Sequence, residues 1–413
     1  MDKKIKNLIK KETRRQNETI DLIASENIAS GDIMEILGTP LVNKYSEGYP
    51  TRRYYPGNEV CDEIENLARE YALKAFGLDD AEWGVNVQPY SGSPANLAIL
   101  FALAKPREKI MGMKLAFGGH LTHGHSVSAT GTFWKPVQYE TDKKTGLIDY
   151  GKIRAQAIKQ KPKVIISGAT AYPRQIDFEK FGKIADEVGA YHVADISHIA
   201  GLVAGGEHMP PFPYADAVMT TTHKSLRGPR GAVIFGRKEK AHDSEQTIIE
   251  LINKAVFPGL QGGPHNNQTA AIAQAFYEVL TPGFKRYAKQ IIKNASCLAE
   301  ELKRRGFELI GGGTDNHLIL MNVKAIGLSG MEAEKRLEKN GVIANRNSIP
   351  GDESPFKPNG LRLGVPAVTT RGFKEKEMKE IAEIFEAVLI RNENVTKEVK
   401  RLTREFPISN DKN

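Results

Sequence analysis

The chain has 413 residues, 40% of them hydrophobic and 26% charged, the balance of an ordinary globular protein with room for more than one domain. No apolar run reaches bilayer-spanning length, the charged start Met1-Asp2-Lys3-Lys4 lacks a signal-peptide core, and Cys61 and Cys297 stand far apart without metal spacing, so a cytoplasmic, reducing compartment is expected. The formal charge of +8 is concentrated in residues 1–20 and 283–305, with no aromatic-interleaved basic motif beside either, so nucleic acid is not an expected partner.

Residues 1–20 read as a charged helix, followed by an irregular Asn-, Gly- and Pro-rich segment through about Gly57. Asp62 opens an amphipathic helix with Ile64, Leu67, Ala68, Tyr71, Ala72 and Ala75 on one face and Gly77 as its stop. Short apolar runs at 85–88, 109–113, 163–167, 191–195, 217–221 and 232–236 predict strands. Several are apolar on both faces, as buried parallel strands are. Helical patterns at 94–104 and 178–188 lie between them, which predicts an α/β fold with a mostly parallel sheet. Past about Gly263 a long helix (266–280) leads into a basic one. There Phe284, Tyr287, Ala288, Ile291, Ala295, Leu298 and Leu302 share one face, while Lys285, Lys289 and Lys293 take the solvated side. A smaller α+β unit follows, with strands at 307–310 and 317–323 and helices at 331–340 and 374–391. The expected division is an N-terminal arm (1–45), a large α/β domain (46–272) and a small C-terminal domain (273–413).

The strongest local signal is Thr220-Thr221-Thr222-His223-Lys224-Ser225-Leu226-Arg227-Gly228. A lysine just beyond a strand projects at the rim where open α/β sheets bind ligands. A site that depresses its pKa turns it into an amine nucleophile, as pyridoxal phosphate attachment requires. Asp195 closes a strand and is followed by Ser197 and His198. It reads equally as a helix cap or as the carboxylate that pairs with a pyridinium nitrogen. Tyr90-Ser91-Gly92-Ser93-Pro94 joins a strand to a helix, leaving first-turn amides free for a phosphate. Gly262-Gly263-Pro264 offers a second contact of that kind, and neither loop is a Walker or dinucleotide motif. His120, His123 and His125 fall in a Gly-rich loop without a completing Cys or carboxylate, so no metal is expected and a stacked imidazole is the alternative use. Glu47 between Tyr45 and Tyr54 could set an acid–base group beside a flat ligand. Arg362 on a short strand has the planar fork that holds a carboxylate.

In this order the motifs resemble serine hydroxymethyltransferase from about Leu22 to about Val388. They are LIASEN (22–27), NKYSEGYPTRRYY (43–55), SGSPAN (91–96), GGHLTHG (118–124), VADISHIAGL (193–202), TTTHKSLRGPRG (220–231), FPGLQGGP (257–264), GGTDNH (312–317) and RLGVPAVTTRG (362–372). The resemblance implies an aspartate-aminotransferase-like architecture (pyridoxal-phosphate fold type I), with a seven-stranded-type sheet. It also implies a homodimer, or a tetramer of paired dimers, with sites built across the subunit interface. Lys224 would bind the cofactor covalently, Asp195 would meet the pyridine nitrogen, His120 would stack on the ring, and His198 and Thr170 would lie beside its phenolic oxygen. Gly92, Ser93 and His223 would hold the phosphate, with Tyr45 and Gly263 reaching in from the other subunit. Arg362, with Ser25, Tyr55 and His198, would hold the substrate carboxylate. Glu47, Tyr54, Leu115, Gly119, Leu121 and Asn347 would face tetrahydrofolate or a related pterin, with Glu47 managing the protons. The implied reaction interconverts serine and glycine with one-carbon transfer to the pterin. A folate-independent aldolase or aminotransferase of the same fold is the alternative, against which the Glu47 segment and the 115–121 loop both argue. The chain departs from the usual pattern with Thr170 for Ser, Phe117 for His and Pro56-Gly57-Asn58 for Gly-Gly-Cys, and the arm before Leu22 is short.

Overall fold

The computed structural model describes residues 1–352 and 357–408. Its centre is a sheet of β1 (Trp83–Asn86), β2 (Lys109–Met113), β3 (Lys135–Tyr139), β4 (Val164–Ser167), β5 (Tyr191–Asp195), β6 (Ala217–Thr221) and β7 (Ala232–Arg237). The spatial order is β1-β7-β6-β5-β4-β2-β3. Neighbours from β6 to β3 are parallel, and β7 alone runs against both its partners. Alternate residues feed two separate cores. Ile165, Ala194, Val218 and Phe235 pack on one face, while Val164, Ile166, Val193, Met219 and Ile234 pack on the other. Helices cover both faces, which is why these strands read as continuous apolar runs.

A second sheet, β8 (Glu308–Leu309), β9 (Leu318–Asn322), β10 (Asn345–Asn347) and β11 (Gly360–Gly364), is antiparallel throughout in the order β8-β9-β11-β10. The N-terminal segment is stitched to it. Ile20–Asp21 pairs in parallel with Val342–Ile343, and Leu22 accepts a backbone hydrogen bond from Gly364 at 2.8 Å. That stitch carries Ser25 to the side of Arg362.

The predicted strands of the central sheet stand within two residues of their expected positions, except that β3 was not expected. Its Lys135 and Pro136 are exposed at the sheet edge, and an edge strand with proline carries little apolar signal. Helices at Tyr150–Gln160 and Thr396–Glu405 were also missed. The segment before Gly57 is less irregular than expected, holding a helix (Gly31–Leu37), a 3-10 turn (Pro40–Asn43) and a hairpin of Gly48–Tyr49 with Arg52–Arg53. Helix Glu59–Phe76 starts three residues before Asp62 and, as expected, buries Ala68 and Ala72 with Tyr71 and Ala75 packed against the core; one position differs. Glu65 is buried where Leu67 was expected, and Leu67 stays 39% exposed. The reason is polar: Glu65 accepts from Arg53 at 2.7 Å, Arg69 at 2.6 Å and Gln88 at 3.0 Å, and a paired carboxylate can be buried where a lone one cannot. The basic helix, Pro282–Arg304, buries Phe284, Ala288, Ile291, Ala295, Leu298 and Leu302 and exposes Lys285, Lys289 and Lys293, as its spacing predicted. Among the described residues no helix is long and apolar enough to cross a membrane.

Candidate active site

Five connections leave the carboxyl ends of parallel strands at one edge of the central sheet. Beyond β1 comes Gly92, beyond β2 His120, beyond β4 Thr170, at the end of β5 Asp195, and beyond β6 Lys224. This is the edge where open α/β sheets bind ligands. The five residues, with His198, line one cleft. Close approach is built in by glycine. At Gly168, with φ of +126°, a Cβ would sit 2.1 Å from the Asp195 carbonyl oxygen, so only glycine lets the β4 and β5 ends meet there.

Asp195 is the anchor. Its Oδ1 accepts from the Ser197 backbone at 3.1 Å and hydroxyl at 2.6 Å. Its Oδ2 accepts from Asn96 Nδ2 and His123 Nε2, both at 3.0 Å. Burial opposes ionisation, but the His123 hydrogen bond and charge, the nearby His120 and the Ser197 hydroxyl outweigh it, holding the carboxyl well below the usual range. The helix that follows starts only at Ala200 with Ile199 as its cap, so Asp195 is not a helix cap. His123 Nδ1 accepts from the His120 backbone N–H at 3.4 Å, which leaves Nε2 as the protonated nitrogen facing Asp195. Asn96 also donates to the Thr122 hydroxyl at 2.8 Å, and that hydroxyl lies 2.7 Å from His120 Nδ1. Ring, loop and carboxylate are thus tied into one network. Burial, with His123 and Lys224 nearby, pushes the His120 imidazole down to about 4.

Lys224 Nζ donates to Thr221 Oγ1 at 2.9 Å. Burial lowers its amine to about 8, opposed by Asp195 and reinforced by Arg362 and Arg230. His198 lies beside it, its ring stacked on buried His317 with Nδ1 3.3 Å from His317 Nε2, and its pKa is lowered by burial, Lys224 and Arg362. Arg362 donates to the Thr170 carbonyl at 2.9 Å and to Asn345 Oδ1 at 3.2 Å, with Ser25 Oγ 3.5 Å away. Thr170 Oγ1 in turn donates to the Gly119 carbonyl at 3.0 Å. Asn347, on the same strand as Asn345, turns its amide onto the Ser348 carbonyl at 2.7 Å.

The remaining expected residues gather elsewhere. Tyr45 and Tyr55 meet edge to face at 5.2 Å, Tyr45 Oη lies 3.5 Å from Glu47 Oε1, and Tyr54 packs on Phe257 at 5.7 Å. Gly262 and Gly263 border this cluster, each leaving room that a Cβ would narrow to 3.1 Å from Glu47 and from the Tyr45 ring. None of these residues lines the Lys224 cleft. Tyr45, Tyr54 and Tyr55 are 54%, 73% and 46% exposed on this single chain. Leu121 is exposed and Leu115 half-buried on the loop beyond β2.

The cleft fits pyridoxal phosphate on its own features. A depressed amine stands near an ionised, buried carboxylate. Ser91 makes no side-chain cap to helix Gly92–Leu103, so the first-turn amides at Gly92 and Ser93 are free for an anion. His223, whose Nδ1 is buried without a partner among the described residues, lines a different cavity with Ser25 and Arg230 and is not part of the cleft's lining. Sequence reasoning missed Asn96 and His123 as partners of Asp195, although both sit inside motifs it singled out.

The family model described as "Serine hydroxymethyltransferase" matches residues 1–385. A protein of that name from Acidothermus cellulolyticus is 50% identical over 419 residues, covering 98% of this chain and 95% of the relative. Those from Caenorhabditis elegans and Caenorhabditis briggsae are each 49% identical over 402 residues, covering 94% of this chain and 79% of theirs. The chain belongs to the serine hydroxymethyltransferase family, whose members use pyridoxal phosphate with tetrahydrofolate as co-substrate.

Proposed function

We propose that this chain transfers the hydroxymethyl carbon of L-serine reversibly to tetrahydrofolate, releasing glycine. The observation that carries this reading is the convergence of Lys224, Asp195 and His120 on one cleft, with Arg362 adjoining. Pyridoxal phosphate, when bound, supplies an electron sink for the bond cleaved at the substrate's α-carbon. The chain's own residues do the rest. Lys224 holds and releases the cofactor, Asp195 offers its charge to the ring nitrogen, and the His120 imidazole lies against the ring. Thr170 and His198 serve the phenolic side, while Gly92, Ser93 and His223 hold the phosphate. Arg362 and Ser25 hold the substrate carboxylate, and Asn347, Leu115, Gly119 and Leu121 border the pterin.

The exposed tyrosines support a homodimer in which Tyr45, Glu47, Tyr54, Tyr55 and Gly263 complete the cleft of the other copy. The half-exposed Leu67 and exposed Val60 on helix Glu59–Phe76 are apolar surface that a second copy would cover. Cys61 and Cys297 are both free, in keeping with a reducing, cytoplasmic setting.

Glu47 manages the protons of the hydroxyl and of the folate. General acid–base groups contribute about 10²–10⁴ in rate. Glu47→Gln is therefore expected to slow tetrahydrofolate-dependent serine cleavage at least a hundredfold. Folate-independent cleavage of other 3-hydroxy amino acids should change little. Equal losses in both assays, or a loss in neither, would sink the assignment, and a wild-type protein indifferent to tetrahydrofolate would support the aldolase reading instead.

The amine of Lys224 gives a pH signature. Only the neutral amine is nucleophilic, so in the cofactor-free chain its reductive methylation by formaldehyde and cyanoborohydride, followed by peptide mapping, should rise with pH with its midpoint at about 8. A rise centred near the ordinary lysine value of 10.5 would show that the cleft does not tune this amine.

A further inference from the structure

The Lys224 carbonyl accepts two hydrogen bonds. One closes a turn, from the Arg227 backbone N–H at 3.0 Å. The other crosses 197 residues of sequence, from Asn27 Nδ2 at 2.9 Å. Asn27 is otherwise fully engaged. Its Nδ2 also donates to Tyr287 Oη at 2.8 Å, and its Oδ1 accepts from the Ile28 N–H at 2.9 Å and the Thr370 hydroxyl at 2.7 Å. Both N–H groups and both lone pairs of the amide have partners, so its orientation is set by chemistry.

The same network holds the far end of the turn. Arg227 has φ of +59°, a left-handed conformation that is costly for any residue but glycine. Its guanidinium lies 4.6 Å over the Tyr287 ring and 3.8 Å from Glu278. Tyr287, on the basic helix, therefore braces Arg227 with its face and Asn27 with its hydroxyl. Thr370 stands eight residues beyond Arg362, on a helix that follows the strand bearing that arginine.

We propose that Asn27 is a positioning residue for Lys224: locked by Tyr287 and Thr370, its amide fixes the lysine's backbone carbonyl and thereby the line along which the amine enters the cleft. This deepens the reading of Lys224 as the cofactor-holding amine and rests on it. The charges facing that amine are Asp195, Arg362 and Arg230, with the His198 imidazole beside them, and none of them belongs to the Asn27 network. A change in the amine produced from Asn27 therefore acts through geometry.

Asn27→Leu is nearly isosteric and uncharged, and it removes the donation to the Lys224 carbonyl. In the cofactor-free full chain at pH 7.5, reductive methylation of Lys224, read by peptide mapping against the other lysines, is expected to slow about tenfold, the effect of one pKa unit on a mostly protonated amine. In the loaded enzyme kcat should fall with the KM for serine little changed. Thr370→Val releases Asn27 without altering it and should shift both readouts in the same direction, about threefold. Wild-type labelling rates in Asn27→Leu would overturn the proposal. If that variant does not fold, wild-type rates in Thr370→Val overturn it equally. A wild-type Lys224 that borohydride cannot fix to pyridoxal phosphate would instead overturn the underlying assignment.

Discussion

Asp195→Asn is expected to lower kcat for serine cleavage by two to three orders of magnitude without displacing the surrounding backbone. The side chains have the same shape, so packing changes little. What changes is charge and hydrogen-bond sense. Four donations reach the carboxylate, two at each oxygen, from Ser197 and from the Asn96–His123 pair. An amide can accept at only one of those ends, so whichever way it turns, its NH2 faces two donors. Each unsatisfied buried group costs about 1–3 kcal/mol. The larger loss is at the cofactor. A buried carboxylate held in its charged form favours a protonated ring nitrogen, whereas a neutral amide does not. A fall of two to three pKa units at that nitrogen corresponds to about 3–4 kcal/mol, or roughly 10²–10³ in rate if the protonated ring is the reactive one. Steady-state kcat at saturating serine and cofactor measures this. A loss below tenfold would mean that Asp195 organises the loop carrying His120 and His123 and has no electronic role.

The candidate site residues at strand ends were legible because each lies within a few residues of an apolar run that marks its strand. Lys224 and Asp195 are the clearest cases: the end of the strand fixes the rim of the sheet, and the rim fixes the cleft. Their supporting partners were not legible, because nothing local marks them. His123 is 72 residues from Asp195, Asn96 is 99, and Asn27 lies 197 from Lys224. A side-chain amide reads the same whether it orients a catalytic group or faces solvent. Glu65 shows the same blindness in the fold. A helical wheel assigns charge to the outside, and it takes the distant Arg53 and Gln88, with Arg69 one turn along the helix, to make its burial tolerable. In the opposite sense, the Tyr45–Tyr55 segment was legible as chemistry but not as position. Its side chains are apart from the cleft of their own chain, which the pattern of one sequence has no means of expressing.

Arg362→Ala is expected to reduce kcat/KM for serine by at least a hundredfold, most of it in KM. Burial lowers this guanidinium only to about 10, so it is still a cation at neutral pH. Among the described residues it has no carboxylate partner: its bonds go to the Thr170 carbonyl and Asn345, with Ser25 near. An enclosed cation served only by neutral oxygens is electrostatically incomplete, and a substrate carboxylate completes it. Charge-assisted hydrogen bonds contribute about 1.5–3 kcal/mol each, so a bidentate pair accounts for about 3–6 kcal/mol, or at least 10² in kcat/KM. The bonds to Thr170 and Asn345 fix the plane of the fork, so charge alone does not suffice. Arg362→Lys, which keeps the charge and loses the planar geometry, should recover only a minor part of the loss. The discriminating substrate is a serine analogue without its carboxylate, such as the amino alcohol. Binding of that analogue, followed by competition, should be almost unaffected by either substitution. Equal weakening of serine and the amino alcohol would show that Arg362 shapes the cleft and does not hold the carboxylate.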